Sequence, residues 1–275
     1  MIFVFPQDYF DKRAPEEYYR LEFDLAHDLG CDVVLVDFDK IRSGTDPFST
    51  NVEYDDCIAV WRGWQMTSAD YSKFYEHASA HGLILLNSPS EYVTCHELSN
   101  SYPLISQYSV DTVFITPIEA SPLNIRTIMD DMGTTRLFVK DTVKGQRDLP
   151  CIINEGDSDD AIEAKITALI DDRGESFTGI LAFRRFVELS GETRFFVLDG
   201  QIAAYSEHFS DSAAVSPSEA AKPIEILSGV SRFFTLDMAL DLDGNALVVE
   251  TGDGQVSECA EHSAADLVGM LAKIQ

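Results

Sequence analysis

The chain has 275 residues, 45% of them hydrophobic, which suffices for one large packed domain or two smaller ones. Its 47 Asp and Glu against 20 Lys and Arg give a formal net charge of −27. That excess repels nucleic-acid phosphates and anionic membranes and argues against both as partners, so an anionic ligand needs a local basic pocket or a metal ion.

Residues 1–88 alternate strand and helix. Positions 2–5 read as a short buried strand before Pro6, not as a signal peptide. A helix follows between Pro15 and Gly30, with Tyr18, Leu21, Leu25 and Leu29 at helical spacing as its apolar face. Residues 31–36 and 57–61 read as further strands. Thr67 and Asp70 are spaced as a capping box for a helix over 67–81, stopped by Gly82, and a strand follows at 83–86. This pattern predicts a small parallel α/β unit. The turn Trp61-Arg62-Gly63-Trp64 follows directly on a strand, where such sheets bind ligands. Arg62 therefore either meets an anionic substrate or sits on the surface of an aromatic-packed loop.

Ser88-Pro89-Ser90-Glu91 is a helix start, and the helix is predicted to run to about Asn100. Strand 113–115 and helix 121–133 come next. Strand 136–141 leads into Thr142-Val143-Lys144-Gly145-Gln146. Lys140 and Lys144 are either solvated or placed to hold phosphates. Neither a Walker loop nor a GxGxxG fingerprint is present. A helix over 158–170 precedes a strand at 179–189 that carries Arg184 and Arg185. A hairpin about Asp199-Gly200 carries Arg194. Arginines among apolar strand residues need anionic partners, either internal carboxylates or a substrate. Residues 210–223 read as a loop or lid, and 264–274 as a closing helix. Five scattered cysteines without a CxxC pair read as free thiols of a reducing cytoplasm, and the histidines as surface or helix residues. No run approaches the roughly 20 apolar residues of a membrane span.

The hairpin signal Asp243-Gly244 lies between two apolar runs. If those two residues form the whole turn, Met238 faces Val249 and Asp237 faces Glu250. Opposed carboxylates repel. They are either a solvated acidic pair or a seat for a hard cation such as Mg²⁺, which prefers carboxylate oxygens and phosphates.

Taken in order, Val139-Lys140-Asp141-x-x-Lys144-Gly145, then Phe183-Arg184-Arg185-Phe186-Val187-Glu188-Leu189, Gly191-Glu192-Thr193-Arg194, and Val249-Glu250-Thr251-Gly252-Asp253-Gly254-Gln255-Val256-Ser257 resemble the ATP-grasp superfamily, in the clade named for two arginines and a lysine. The resemblance covers residues 88–260. It implies an α/β plus α+β protein: an ATP-grasp fold in two lobes, 89–180 and 181–275, behind an N-terminal parallel α/β pre-grasp domain, 1–88. It further implies a cytoplasmic, ATP- and Mg²⁺-dependent (or Mn²⁺-dependent) carboxylate-amine ligase acting through an acyl-phosphate on small-molecule or peptide substrates. The alternatives are a kinase of the same fold and a nucleotide-binding module without turnover. By position, Lys140 and Lys144 reach phosphates, and Arg185, Phe186, Val187 and Glu188 form the adenine hinge. Glu192 takes the ribose, Arg184 and Arg194 with Lys140 serve catalysis, and Asp237 and Glu250 hold the metal. Where family members carry an asparagine two residues after the metal-binding glutamate, this chain has Gly252, and Asp253 is the expected replacement. The lysine that many members carry before the first lobe is missing from residues 95–100.

Overall fold

Three four-stranded sheets organise the computed structural model, which describes residues 1–49, 52–144, 151–207 and 214–274. The first sheet is parallel, in the order β2-β1-β3-β4. It comprises β1 (Ile2–Pro6), β2 (Asp32–Val36), β3 (Cys57–Trp61) and β4 (Leu83–Leu85), interleaved with α1 (Arg20–Asp28), α2 (Phe38–Arg42) and α3 (Ser68–Ala80). Thr67 caps α3 as its sequence implies, its side chain accepting from the Asp70 N–H.

The apolar face expected for α1 is corrected. Of its four members only Leu25 packs against the core; Tyr18, Leu21 and Leu29 are 52%, 42% and 55% exposed, whereas Tyr19, Glu22 and Ala26 face inward. The reason is Arg62. Its guanidinium is buried, and Glu22 turns inward to meet it, accepting from Nε at 2.6 Å and Nη2 at 2.8 Å.

Helix α4 (Pro89–His96) begins with the full reciprocal capping box of Ser88 and Glu91. It does not continue to Asn100. Glu97 adopts an extended conformation, and α5 (Leu98–Ile105) starts afresh. The break is imposed from outside the helix: Glu97 bridges Val143, and the Leu98 N–H donates to the Thr142 carbonyl at 2.8 Å.

The second sheet is antiparallel, in the order β5-β8-β6-β7, with β5 (Thr112–Ile115), β6 (Arg136–Asp141), β7 (Cys151–Asn154) and β8 (Leu181–Arg185). Leu137, Val139, Leu181 and Phe183 pack one face on α6 (Pro122–Met132) and α7 (Asp159–Arg173). Alternation then turns Lys140 and Arg184 to the opposite face.

The third sheet, antiparallel in the order β10-β9-β11-β12, contains β9 (Leu189–Leu198), β10 (Gln201–Glu207), β11 (Phe233–Asp241) and β12 (Ala246–Asp253). The single strand expected over 179–189 is two strands in different sheets, joined by residues 186–188. Leu198 pairs with Gln201, so Asp199 and Gly200 form the two-residue turn read from the sequence. Residues 217–223, expected as loop, belong to α8 (Pro217–Leu227), which opens on a Ser216–Glu219 capping box. Residues 208–213 of that expected lid lie outside the described residues. Helix α9 (Glu261–Leu271) packs with Phe3, Phe5, Phe196 and Phe233, joining the first sheet to the third.

Candidate functional site

The β11–β12 hairpin places Asp237 directly opposite Glu250, the pairing expected from sequence, but by a different route. The loop is one residue longer than a two-residue turn: the Asp241 N–H bonds to the Asn245 carbonyl, and Gly244 closes the loop with φ +82°. Met238 consequently pairs with Val248, and Val249 is extra, a bulge between Met238 and Asp237. Without the bulge Val249 would oppose Asp237 and Glu250 would point to the other face. Arg184 holds the bulge from the second sheet, its Nη1 donating to the Val249 carbonyl at 2.5 Å while Nη2 donates to Ser109 Oγ at 2.9 Å.

On this face of the third sheet, β9 adds Glu192 and Arg194, β6 of the second sheet adds Lys140, and the segment that follows β6 adds Lys144. Arg194 grips Asp237 with both arms: Nε donates to Oδ1 at 2.9 Å and Nη2 to Oδ2 at 2.8 Å. Lys144 Nζ lies 2.7 Å from Asp237 Oδ2 and donates to Thr235 Oγ1 at 3.0 Å. Lys140 pairs with Glu250 across the two sheets. Burial acts to raise the Asp237 pKa, but the Lys144 and Arg194 charges overcome it and hold the carboxyl well below its ordinary value. Burial, with repulsion from Asp237 and Glu250, pushes Glu192 up to about 7. For Lys144, burial and then Arg194 lower the pKa, against the opposing pull of Asp237 and Glu250.

Other expected site residues are placed elsewhere. Asp253 pairs with Phe234 and so faces the opposite side of the third sheet, toward α4. It is fully buried and accepts from Asn87 Nδ2 at 2.5 Å and from the Gln255 N–H at 2.9 Å. It does not join Asp237 and Glu250, because an odd offset along a strand changes face. Arg185, likewise on the helix-packed face of the second sheet, pairs with Asp111 at 2.7 Å and with the Met132 carbonyl, away from Lys140. Phe186, Val187 and Glu188 form the link between the two sheets, with Phe186 under the Arg136 guanidinium at 3.8 Å. Arg62 is a brace for the segment after β12, donating to the carbonyls of Gly254 at 2.5 Å and Ser257 at 3.0 Å. Gly145 lies outside the described residues.

Sequence reasoning missed His96, which is 3% exposed beside the Lys144 segment. It lines a cavity of about 780 Å³ with Phe38, Met66, Val143 and Arg173. The signal available was its place at the end of a capped helix whose other face is apolar. Cys95 and Cys259 are pushed up to about 12 by burial, which suppresses thiolate chemistry at both.

Asp237 and Glu250 supply hard oxygen donors side by side, and that donor set fits one Mg²⁺ completed by phosphate or water oxygens. A protein cage for a metal is absent: among the described residues no group of three His, Cys, Asp or Glu side chains is arranged to hold one. Lys140, Lys144 and Arg194 converge on the same face and fit phosphate oxygens.

Two antiparallel sheets meeting at a lysine- and arginine-lined face behind a parallel α/β unit define the ATP-grasp fold. The same fold occurs, at TM-score 0.68 and 13% identity, in D-cycloserine synthetase DcsG, covering 99% of each chain. The ATP-grasp ligase PsnB, complexed with a phosphomimetic variant of its minimal precursor, Mg and ADP, matches at TM-score 0.66 and 13% identity over 98% of this chain and 97% of that one. The D-alanine-D-alanine ligase from Coxiella burnetii matches at 0.65 and 13%, over 99% and 94%. Among curated proteins no sequence matches. The profile of an ATP-grasp domain, family 3 of the clade named for two arginines and a lysine, matches residues 125–271, and the chain belongs to that family.

Proposed function

We propose that the protein is an ATP-dependent carboxylate-amine ligase. The observation that carries this reading is the face on which Lys140, Lys144 and Arg194 surround the opposed Asp237 and Glu250. Family membership and the ligases that share the fold support it. Asp237 and Glu250 would hold Mg²⁺, which supplies charge neutralisation on the triphosphate when bound. Lys140, released from Glu250, turns to the phosphates. Arg194 lies where charge develops on the transferred phosphoryl group. Residues 186–188 offer backbone groups to adenine, and Glu192 faces the nucleotide. Arg184 acts through the Val249 carbonyl and positions Glu250.

The substrate carboxylate oxygen attacks the γ-phosphorus, and the bond from phosphorus to the ADP oxygen breaks. The resulting acyl-phosphate is attacked by an amine nitrogen. A C–N bond forms, phosphate leaves, and the nitrogen gives its proton to solvent. The chain's contribution is orientation and fixed charge. The acid or amine is a small molecule or a peptide, and the cavity beside His96 is the place for it.

The test is ADP release from pools of amino acids and peptides. Release should require both a divalent ion and an acceptor, and Asp237→Asn or Glu250→Gln should lower it by about 100-fold or more. Unchanged turnover in both variants would remove the metal assignment. A phosphate ester in place of an amide among the products would make the protein a kinase. Tight ATP binding without ADP release on any acceptor would make it a nucleotide-binding module, a reading favoured by Gly252 and by the turned-away Asp253.

A further inference from the structure

The Asp237 carboxylate is 0% exposed, and each of its oxygens already accepts from a cation. A bidentate guanidinium takes one edge. The Lys144 ammonium takes the remaining approach to Oδ2. That ammonium is itself seated: Thr235 Oγ1 accepts from it at 3.0 Å, and Thr235 Oγ1 lies 2.9 Å from Ser257 Oγ. The seat exists because position 252 has no side chain. A Cβ built on Gly252 would stand 2.7 Å from Thr235 Oγ1, 2.9 Å from Ser257 Oγ and 3.1 Å from Lys144 Nζ. The lysine end therefore uses the space that a side chain two residues after Glu250 would fill. The backbone that delivers it is fixed as well. Residues 142 and 143 are tied to the break between α4 and α5 by the Leu98–Thr142 bond and the Glu97–Val143 bridge.

We infer that Lys144 is a resident cation that occupies the place of a second divalent ion at Asp237, so that the site takes a single divalent ion with its nucleotide. The first ion takes Oδ1, which accepts from Arg194 Nε, together with Glu250; a further dication would have to take Oδ2, which already meets both the Arg194 guanidinium and the Lys144 ammonium, with no third protein oxygen offered from position 252. Like charges so close repel strongly in a buried site. Lys140 differs from Lys144. It pairs with Glu250 across the two sheets, and it is the lysine that exchanges places with the metal. The assignment rests on the nucleotide reading above, and it splits the two lysines into one that moves to the phosphates and one that stays.

The experiment counts ions without turnover. Mn²⁺, which shares the preference of Mg²⁺ for oxygen donors, is titrated against the full chain with a saturating non-hydrolysable ATP analogue, and free Mn²⁺ is read by electron paramagnetic resonance. One analogue-dependent Mn²⁺ per chain is expected. In Lys144→Met the count should rise to two, and in Lys144→Arg it should stay at one. Two ions, or a spin-coupled pair, in the unsubstituted protein overturns the resident cation and leaves the nucleotide reading intact. So does a count that stays at one in a folded Lys144→Met protein. No calorimetric binding of the analogue overturns the nucleotide reading and, with it, the inference.

Discussion

His96 shows what a single buried residue does to the whole chain. It ends α4 with its ring 4.6 Å from that of Tyr92, and burial, helped by the Lys144 and Arg173 charges and opposed by Glu250, pushes its pKa down to about 3. Between about pH 6.5 and that value, the unfolded chain binds a proton that the folded chain refuses. Stability from this group is therefore lost as pH falls, at about 1.4 kcal/mol per unit. Asp253 works in the opposite direction. Burial raises it to about 7, so the folded chain holds an extra proton from there down to the ordinary carboxylate range, and its cost fades as pH falls. The two slopes partly cancel in the intact protein, and a substitution separates them. Relative to the unsubstituted chain, His96→Phe should gain about 2 kcal/mol on moving from pH 6.5 to pH 5 in urea unfolding. A difference that does not change with pH would show that the imidazole is not held neutral.

Elements that are fixed locally were legible in the sequence; those fixed by distant partners were not. Ser88–Glu91, Thr67–Asp70 and the Asp199-Gly200 turn carry their instructions within four residues; the first and last formed as read, and Thr67 caps α3 with the Asp70 carboxylate accepting from its hydroxyl. The α4–α5 break depends on the backbone of residues 142 and 143, and the inward turn of Glu22 on Arg62, which lies 40 positions away. Neither is visible in a periodicity. In the candidate site, the Asp237–Glu250 pairing was readable only because two departures compensate: the loop is one residue longer, and the Val249 bulge restores the count. The family resemblance, which offered Asp253 in place of the asparagine absent at Gly252, misplaced it, because its face is set by strand alternation and not by nearness in sequence. The stop of α3 tests this view of local and distant determinants. Gly82 has φ +71°, and a Cβ there would lie 1.9 Å from the Tyr54 carbonyl oxygen, whereas at Gly133, with φ +60°, nothing lies within 4 Å. Gly133→Ala should cost about 1 kcal/mol, from backbone conformation alone. Gly82→Ala should cost about 3 kcal/mol, because the strand entry at Tyr54 must also move. The urea midpoints of the two variants give the comparison, and equal losses would remove the role assigned to the close approach.

At the scale of the molecule, the formal charge of −27 is at odds with a site built to hold phosphates. The site resolves this locally, because Lys140, Lys144 and Arg194 cancel Glu192, Asp237 and Glu250 within one face. The excess acid is therefore spread over the rest of the chain, where it repels itself. Some of it is answered by exposed pairs such as Lys222–Glu225 and Arg232–Asp199. Exposed pairs of this kind contribute about 0–1 kcal/mol each, and salt weakens them. Salt weakens the long-range repulsion too: the Debye length falls from about 30 Å at 0.01 M to about 8 Å at 0.15 M, less than the distance across a sheet. With 47 acidic side chains against 20 basic ones, repulsive pairs outnumber attractive ones over the chain as a whole. The buried pairs Arg194–Asp237 and Arg62–Glu22 are shielded by the protein and change little. The thermal midpoint should therefore rise as NaCl increases over that range, and KCl should give the same rise, because screening depends on ionic strength and not on the cation. A midpoint that fell with salt would mean that the exposed pairs, and not the net charge, dominate the electrostatics of the folded chain.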